Sequence, residues 1–152
     1  MARMLSPNFS YDEFVVSDSA VRLGIDNTPD AEALKNLKHL TAMLELVRTA
    51  LGNVPMRINS GYRCDALNAA IKGAKNSQHK TGLAVDFTAR TFGTVLQTAK
   101  AVAACGIAYD QVIFEYGTWV HLGVSAPGAI PKGELLSIGD ARIYQPGLKN
   151  VA

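Results

Sequence analysis

A chain of 152 residues, 48% apolar and 18% charged, carries enough apolar side chains for one folded core and too little charge for a disordered polymer. A net charge of +2 with no Lys/Arg run excludes an electrostatic stripe for nucleic acid. Two cysteines, Cys64 and Cys105, lie far apart and outside any C-x-x-C pair, which excludes a disulfide scaffold and reads as two buried thiols.

Met1 to Pro7 lacks the apolar run of a secretory signal, and no stretch reaches the ~20 apolar residues that span a bilayer. Synthesis in the cytoplasm without membrane insertion is therefore expected. Residues 1–28 read as an arm of short elements, with helical turns at Tyr11 to Phe14 and Ser17 to Leu23. Thr28 then looks like a helix cap, with Pro29 in the first helical position. Leu34, Leu37, Leu40, Leu44, Val47 and Leu51 recur at helical spacing, and Gly52 closes a helix of about 22 residues. Pro55 to Asn59 reads as a strand, Ser60 to Arg63 as a turn, Asp65 to Ile71 as a helix and Gly73 to Gln78 as a loop. Leu83 to Thr88 has strand character, and Thr94 to Ala104 is a helix closed near Gly106. Two strands, Gln111 to Tyr116 and Trp119 to Val124, are joined tightly around Gly117, and one more is expected near Leu135 to Ile138. The reading is a single α+β domain over 1–152, a largely antiparallel sheet with helices packed on it.

Histidine occurs only three times, so each placement carries information. A catalytic zinc takes three imidazole or carboxylate ligands and keeps a fourth position open for water. His79 sits at a loop end and Asp86 on the following strand, with Gly82 letting the chain turn between them, so the two side chains can converge. His121 would add a third ligand from a neighbouring strand. His39, beside the apolar stripe of the long helix, is expected to face solvent.

Three segments occur in order: Ser60-Gly61-Tyr62-Arg63, then Ser77-x-His79-x-x-Gly82-x-Ala84-x-Asp86, then Trp119-x-His121. Together they resemble the zinc D-alanyl-D-alanine carboxypeptidases and the related phage L-alanyl-D-glutamate endopeptidases, which share a Hedgehog-like fold. Leu5 to Phe9 and Gly24 to Pro29 resemble a small, single-domain branch that includes phage endolysins. The resemblance implies one zinc per chain on His79, Asp86 and His121, and hydrolysis of a peptide bond in the peptidoglycan stem. Cytoplasmic synthesis without a signal suits a phage lysis enzyme that reaches the wall through a membrane hole, and equally an intracellular enzyme that trims small dipeptides. A monomer with no nucleic-acid partner is expected.

The chain departs from many of these relatives in one respect. They carry Glu or Asp three residues before the last histidine, where this chain has Thr118, which cannot serve as a base at neutral pH. Glu115 is the nearest carboxylate. If Tyr116-Gly117-Thr118 forms a three-residue loop, Glu115 faces Trp119 and shares a side with His121; a two-residue turn would put it on the other face. Asp110 is the reserve. Arg63 has a family counterpart that holds the substrate's carbonyl oxygen or carboxylate, a role its planar fork suits, although an ion pair with Asp65 would also explain it. Ser77 is placed to donate to substrate, while Tyr62 and Trp119 either line the cleft or simply pack. A wall-peptide binding module that does not cut, or a structural phage component, are the rival readings.

Overall fold

The computed structural model describes residues 1–152. Its arm opens with a small antiparallel ribbon, β1 (Met4–Ser6) and β2 (Phe9–Ser10), followed by the two short helices, α1 (Tyr11–Val15) and α2 (Asp18–Leu23). Phe9 and Phe14 are buried and meet edge to face, 6.0 Å between ring centres, which ties the arm into the central apolar cluster.

The long helix, α3 (Ala31–Ala50), starts later than its Thr28-Pro29 signal implies. Asp30 is its cap, accepting from the Ala33 N–H at 2.8 Å, while the Thr28 hydroxyl donates to Asp26 at 2.6 Å. An ionised carboxylate at this end satisfies a free N–H and also meets the positive end of the helix dipole, so Asp30 outcompetes the threonine. Leu37, Leu40, Leu44 and Val47 are fully buried; Leu34 is only half-buried, and Ala33 takes its place in the core. The Asn53 N–H returns to the Arg48 carbonyl at 2.8 Å across Gly52, closing the helix where expected.

The main sheet contains β3 (Arg57–Ser60), β4 (Ala84–Thr88), β5 (Tyr109–Glu115), β6 (Trp119–Val124), β7 (Glu134–Ile138) and β8 (Gln145–Pro146), in the spatial order β3-β4-β6-β5-β7-β8. All neighbours are antiparallel except β5 and β7, which run parallel. Helix α4 (Asp65–Ala70) follows β3, and α5 (Val95–Ala104) links β4 to β5. This is an α+β fold with helices packed on a mainly antiparallel sheet.

Alternation along the strands gives the two sheet faces different work. Val85 and Phe87, Val112 and Phe114, and Val120, Leu122 and Val124 join α3 and the Ala99–Val102 side of α5 in one cluster. Each such buried side chain stabilises the fold by roughly 1.5–3 kcal/mol. The intervening residues, Asp86, Ile113, Glu115 and His121, take the opposite face, where a cleft opens. A 3-10 turn, Gln78–Thr81, leads into β4 through Gly82. Gly82 has φ +79°, and a Cβ there would lie 2.6 Å from the Ala33 carbonyl oxygen, so the turn needs glycine on both counts.

Candidate metal centre

Strand register brings the first two donors together: Asp86 of β4 lies directly opposite His121 of β6, on the cleft face. Opposed side chains on one face of a ladder have Cβ atoms only ~4.5–5.5 Å apart. His121 Nδ1 is 2.9 Å from Asp86 Oδ1. The 3-10 turn delivers His79 to the same place, with Nε2 3.3 Å from Asp86 Oδ1. The two imidazole rings meet at 5.1 Å between centres, and all three donor atoms fall within 4.8 Å of one another. All three residues are buried.

His79 shows why this cluster suits a cation. Its Nδ1 lies 2.6 Å from the Gly61 carbonyl oxygen, which can only accept, so Nδ1 carries the proton and Nε2 presents its lone pair. That Nε2 is buried and makes no hydrogen bond. It faces Asp86 Oδ1, another acceptor, and two lone pairs so placed repel unless a positive charge stands with them. A proton on Nε2 is disfavoured, because burial lowers the pKa of His79 against the pull of Asp86. Burial also opposes ionisation of Asp86, but His79 and His121 outweigh it and hold the carboxyl far below its usual range. His121 is raised instead: its burial is overcome by the Asp86 hydrogen bond and by the charges of Asp86 and Glu115. Two imidazole nitrogens and one carboxylate, with a carbonyl orienting one ring from behind, form a set that a divalent metal would fit.

A family description, Peptidase M15, matches residues 7–123, most of the chain and all three donors. The chain belongs to the peptidase M15 family. A search of curated proteins finds no match. No helix is long and apolar enough to cross a membrane.

In this M15 protein the donors sit in a cleft of about 780 Å³, shared with Arg63, Ser77, Glu115 and Asp110. Glu115 pairs with Trp119 across the hairpin, so the loop is Tyr116-Gly117-Thr118, and the Thr118 N–H donates back to the Glu115 carbonyl. This register puts Glu115 on the His121 side: Oε1 lies 3.8 Å from His121 Nδ1, while Oε2 accepts from Trp119 Nε1 at 2.9 Å. Burial and the Asp86 charge raise the pKa of Glu115, against the pull of His121, Trp119 and Arg63. Asp110 is already engaged. It accepts from Ser125 Oγ at 2.9 Å, the Lys132 N–H at 3.2 Å and Gln78 Nε2 at 3.1 Å, so it braces the His79 turn against β5.

Arg63 does not pair with Asp65, which is 3.2 Å from Lys80 Nζ. Its Nε donates to Ser60 Oγ at 3.1 Å, Nη1 to Asn68 Oδ1 at 3.3 Å and Nη2 to Asp86 Oδ2 at 3.4 Å. A guanidinium has five N–H groups, so one remains on each terminal nitrogen at the cleft. Ser77 Oγ accepts from the His79 N–H at 3.2 Å, which leaves its own proton to donate.

Other expectations are corrected. Tyr62 packs in the core, held by its N–H to the Phe14 carbonyl and its carbonyl to Asn27, and does not line the cleft. Trp119 likewise stays off the cleft wall and instead orients Glu115. His39 is half-buried, its Nε2 2.9 Å from the Ser125 carbonyl, rather than solvent-facing. Cys64 and Cys105 are half-buried free thiols, and Cys64 caps α4. Sequence reading missed Tyr116, Leu136 and Tyr144, which line the cleft, and Asn68, which contacts Arg63. Lys132, Glu134, Leu136 and Tyr144 on this wall all lie beyond the residues of the family match.

Arg63→Lys keeps the charge and loses the fork. Turnover should fall at least tenfold, because a lysine has neither the carboxylate-matching fork nor the three nitrogens that reach Ser60, Asn68 and Asp86. Bound metal should stay at the parent level, because His79, Asp86 and His121 are unchanged. Near wild-type kcat/KM in this variant would exclude a clamp role.

Proposed function

We propose that this M15 protein is a zinc-dependent hydrolase of the peptidoglycan stem peptide, cutting beside D-alanine or D-glutamate, and that it serves in phage lysis. The observation that carries this reading is the orphaned lone pair of His79 Nε2, aimed at Asp86 beside His121 in the cleft that also holds Glu115 and Arg63. The endolysin-like arm and the ordered Ser-Gly-Tyr-Arg, His-to-Asp and Trp-x-His segments support the wall-peptide substrate.

Zinc in such a donor set supplies Lewis acidity, bringing the pKa of water toward ~7 and polarising a carbonyl. Glu115 takes a proton from the attacking water at Oε1 and returns it to the leaving amine as the peptide C–N bond breaks. Trp119 fixes that carboxylate by its indole N–H, so Oε1 keeps its aim. Arg63 holds the substrate's carbonyl oxygen or carboxylate with its two unused N–H groups, and Ser77 adds a hydroxyl donor.

Purified protein should contain about one zinc per chain and should clear outer-membrane-stripped Gram-negative cells. A chelator should stop the clearing and added zinc restore it. Clearing that survives metal removal would refute the zinc mechanism, and wall binding without clearing would favour a non-cutting module. Mass spectrometry of the products assigns the bond, separating carboxypeptidase from endopeptidase action.

A further inference from the structure

We propose that Asn68 is a positioning residue that aims the Arg63 guanidinium into the cleft and ties it to the cleft rim at Gly73 and Ala74; this rests on the reading of Arg63 as the substrate clamp. Asn68 lies on the inward side of α4 beside Leu67 and is 3% exposed. Burying an amide there is costly unless both ends are bonded. Its Oδ1 accepts from Arg63 Nη1 at 3.3 Å, and its Nδ2 donates to the Ala74 carbonyl at 2.9 Å. The Asn68 backbone carbonyl also receives the Gly73 N–H at 2.8 Å. One residue therefore bonds the clamp with one side of its amide and the rim with the other.

The rim is shaped around this contact. A Cβ on Gly73 would stand 2.1 Å from Asn68 Oδ1 and 3.1 Å from Arg63 Nη1, so any other residue would push the amide off the guanidinium. Lys72 just before it takes φ +59°, a left-handed conformation that side chains other than glycine rarely adopt, to bring the chain round. The other two Arg63 contacts, at Nε and Nη2, go to Ser60 and Asp86. Without Asn68, Nη1 has no protein partner in the structure, so the planar guanidinium is held at Nε and Nη2 alone. Its Nη1 edge can then tilt, and the unused N–H on that edge tilts with it.

The test pairs kinetics with a measurement that needs no turnover. Asn68→Ala should lower kcat/KM about tenfold in the otherwise unchanged chain, the loss expected for one hydrogen bond to a charged group, with zinc content unaltered. In an Arg63→Lys background the same change should cost less than about twofold, because the geometry it protects is already gone. Side-chain 15N–1H spectra of Arg63, assigned by their loss in Arg63→Lys, should show hindered guanidinium rotation in the parent chain and free rotation in Asn68→Ala. Asn68→Asp keeps an acceptor for Nη1 and so should keep rotation hindered, and it serves if Asn68→Ala fails to fold. Equal losses in both backgrounds, unchanged rotation in Asn68→Ala, or free rotation in Asn68→Asp would overturn the proposal. If the parent chain cuts no wall peptide, the functional reading fails, and the rotation measurement still decides whether Asn68 holds Arg63.

Discussion

His79→Ala and His121→Ala proteins should each purify without zinc and show no detectable hydrolysis, while remaining folded. Each change leaves two protein donors, fewer than the three that a catalytic zinc takes. The losses differ in kind. His79→Ala removes the orphaned Nε2 itself, and with it the Gly61 carbonyl's partner. His121→Ala removes the closest contact of Asp86, at 2.9 Å, so the carboxylate loses one of the groups that keep it ionised. Zinc should raise the melting temperature of the parent chain and of neither variant, since a ligand stabilises only the state that binds it. His39→Ala is the control: it should keep zinc and activity and lose about 1 kcal/mol of stability with the Ser125 hydrogen bond. Metal analysis and a thermal melt for each protein check this, and a full zinc complement in His121→Ala would remove it from the ligand set.

Glu115→Gln should cut kcat by two orders of magnitude or more with fold and zinc intact, the usual contribution of a positioned base. Glutamine has the same shape, and its carbonyl oxygen can still accept from Trp119 Nε1, so the side chain stays where it is. Only the capacity to take a proton disappears. Asp110→Asn should behave differently, because an amide nitrogen would replace one of two oxygens that already receive hydrogen bonds. That variant should lose stability and keep most of its turnover per zinc-loaded molecule. Rate measurements on metal-quantified protein separate the two; high activity in Glu115→Gln would move the base elsewhere.

The elements that position the donors were legible because their physics is local. Alternation on β4 and β6 puts Asp86 and His121 on one face, and Gly82 marks the left-handed turn between His79 and that strand. The three-residue hairpin was one of two options, and the pairing of Glu115 with Trp119 settles the register. What escaped depends on distant contacts. β1, β2 and β8 are too short to show a period, and β7 pairs in parallel with β5, a choice no spacing encodes. Tyr62 sits next to Arg63 in sequence but is pulled into the core by Phe14 and Asn27. Asn68 is one polar residue on a short helix, and its part appears only once Arg63 and Ala74 are seen on either side.

The wall formed by Lys132, Glu134, Leu136 and Tyr144 has an evolutionary consequence. Leu136 and Glu134 sit on β7, laid alongside β5 after the metal-facing strands are complete, and Tyr144 follows from the segment leading into β8. None of them belongs to the His79, Asp86 and His121 set. Drift at these four positions can reshape what the cleft admits while His79, Asp86 and His121 stay fixed by the 3-10 turn, β4 and β6. Selection for a different substrate thus has a surface to act on that lies outside the three donors.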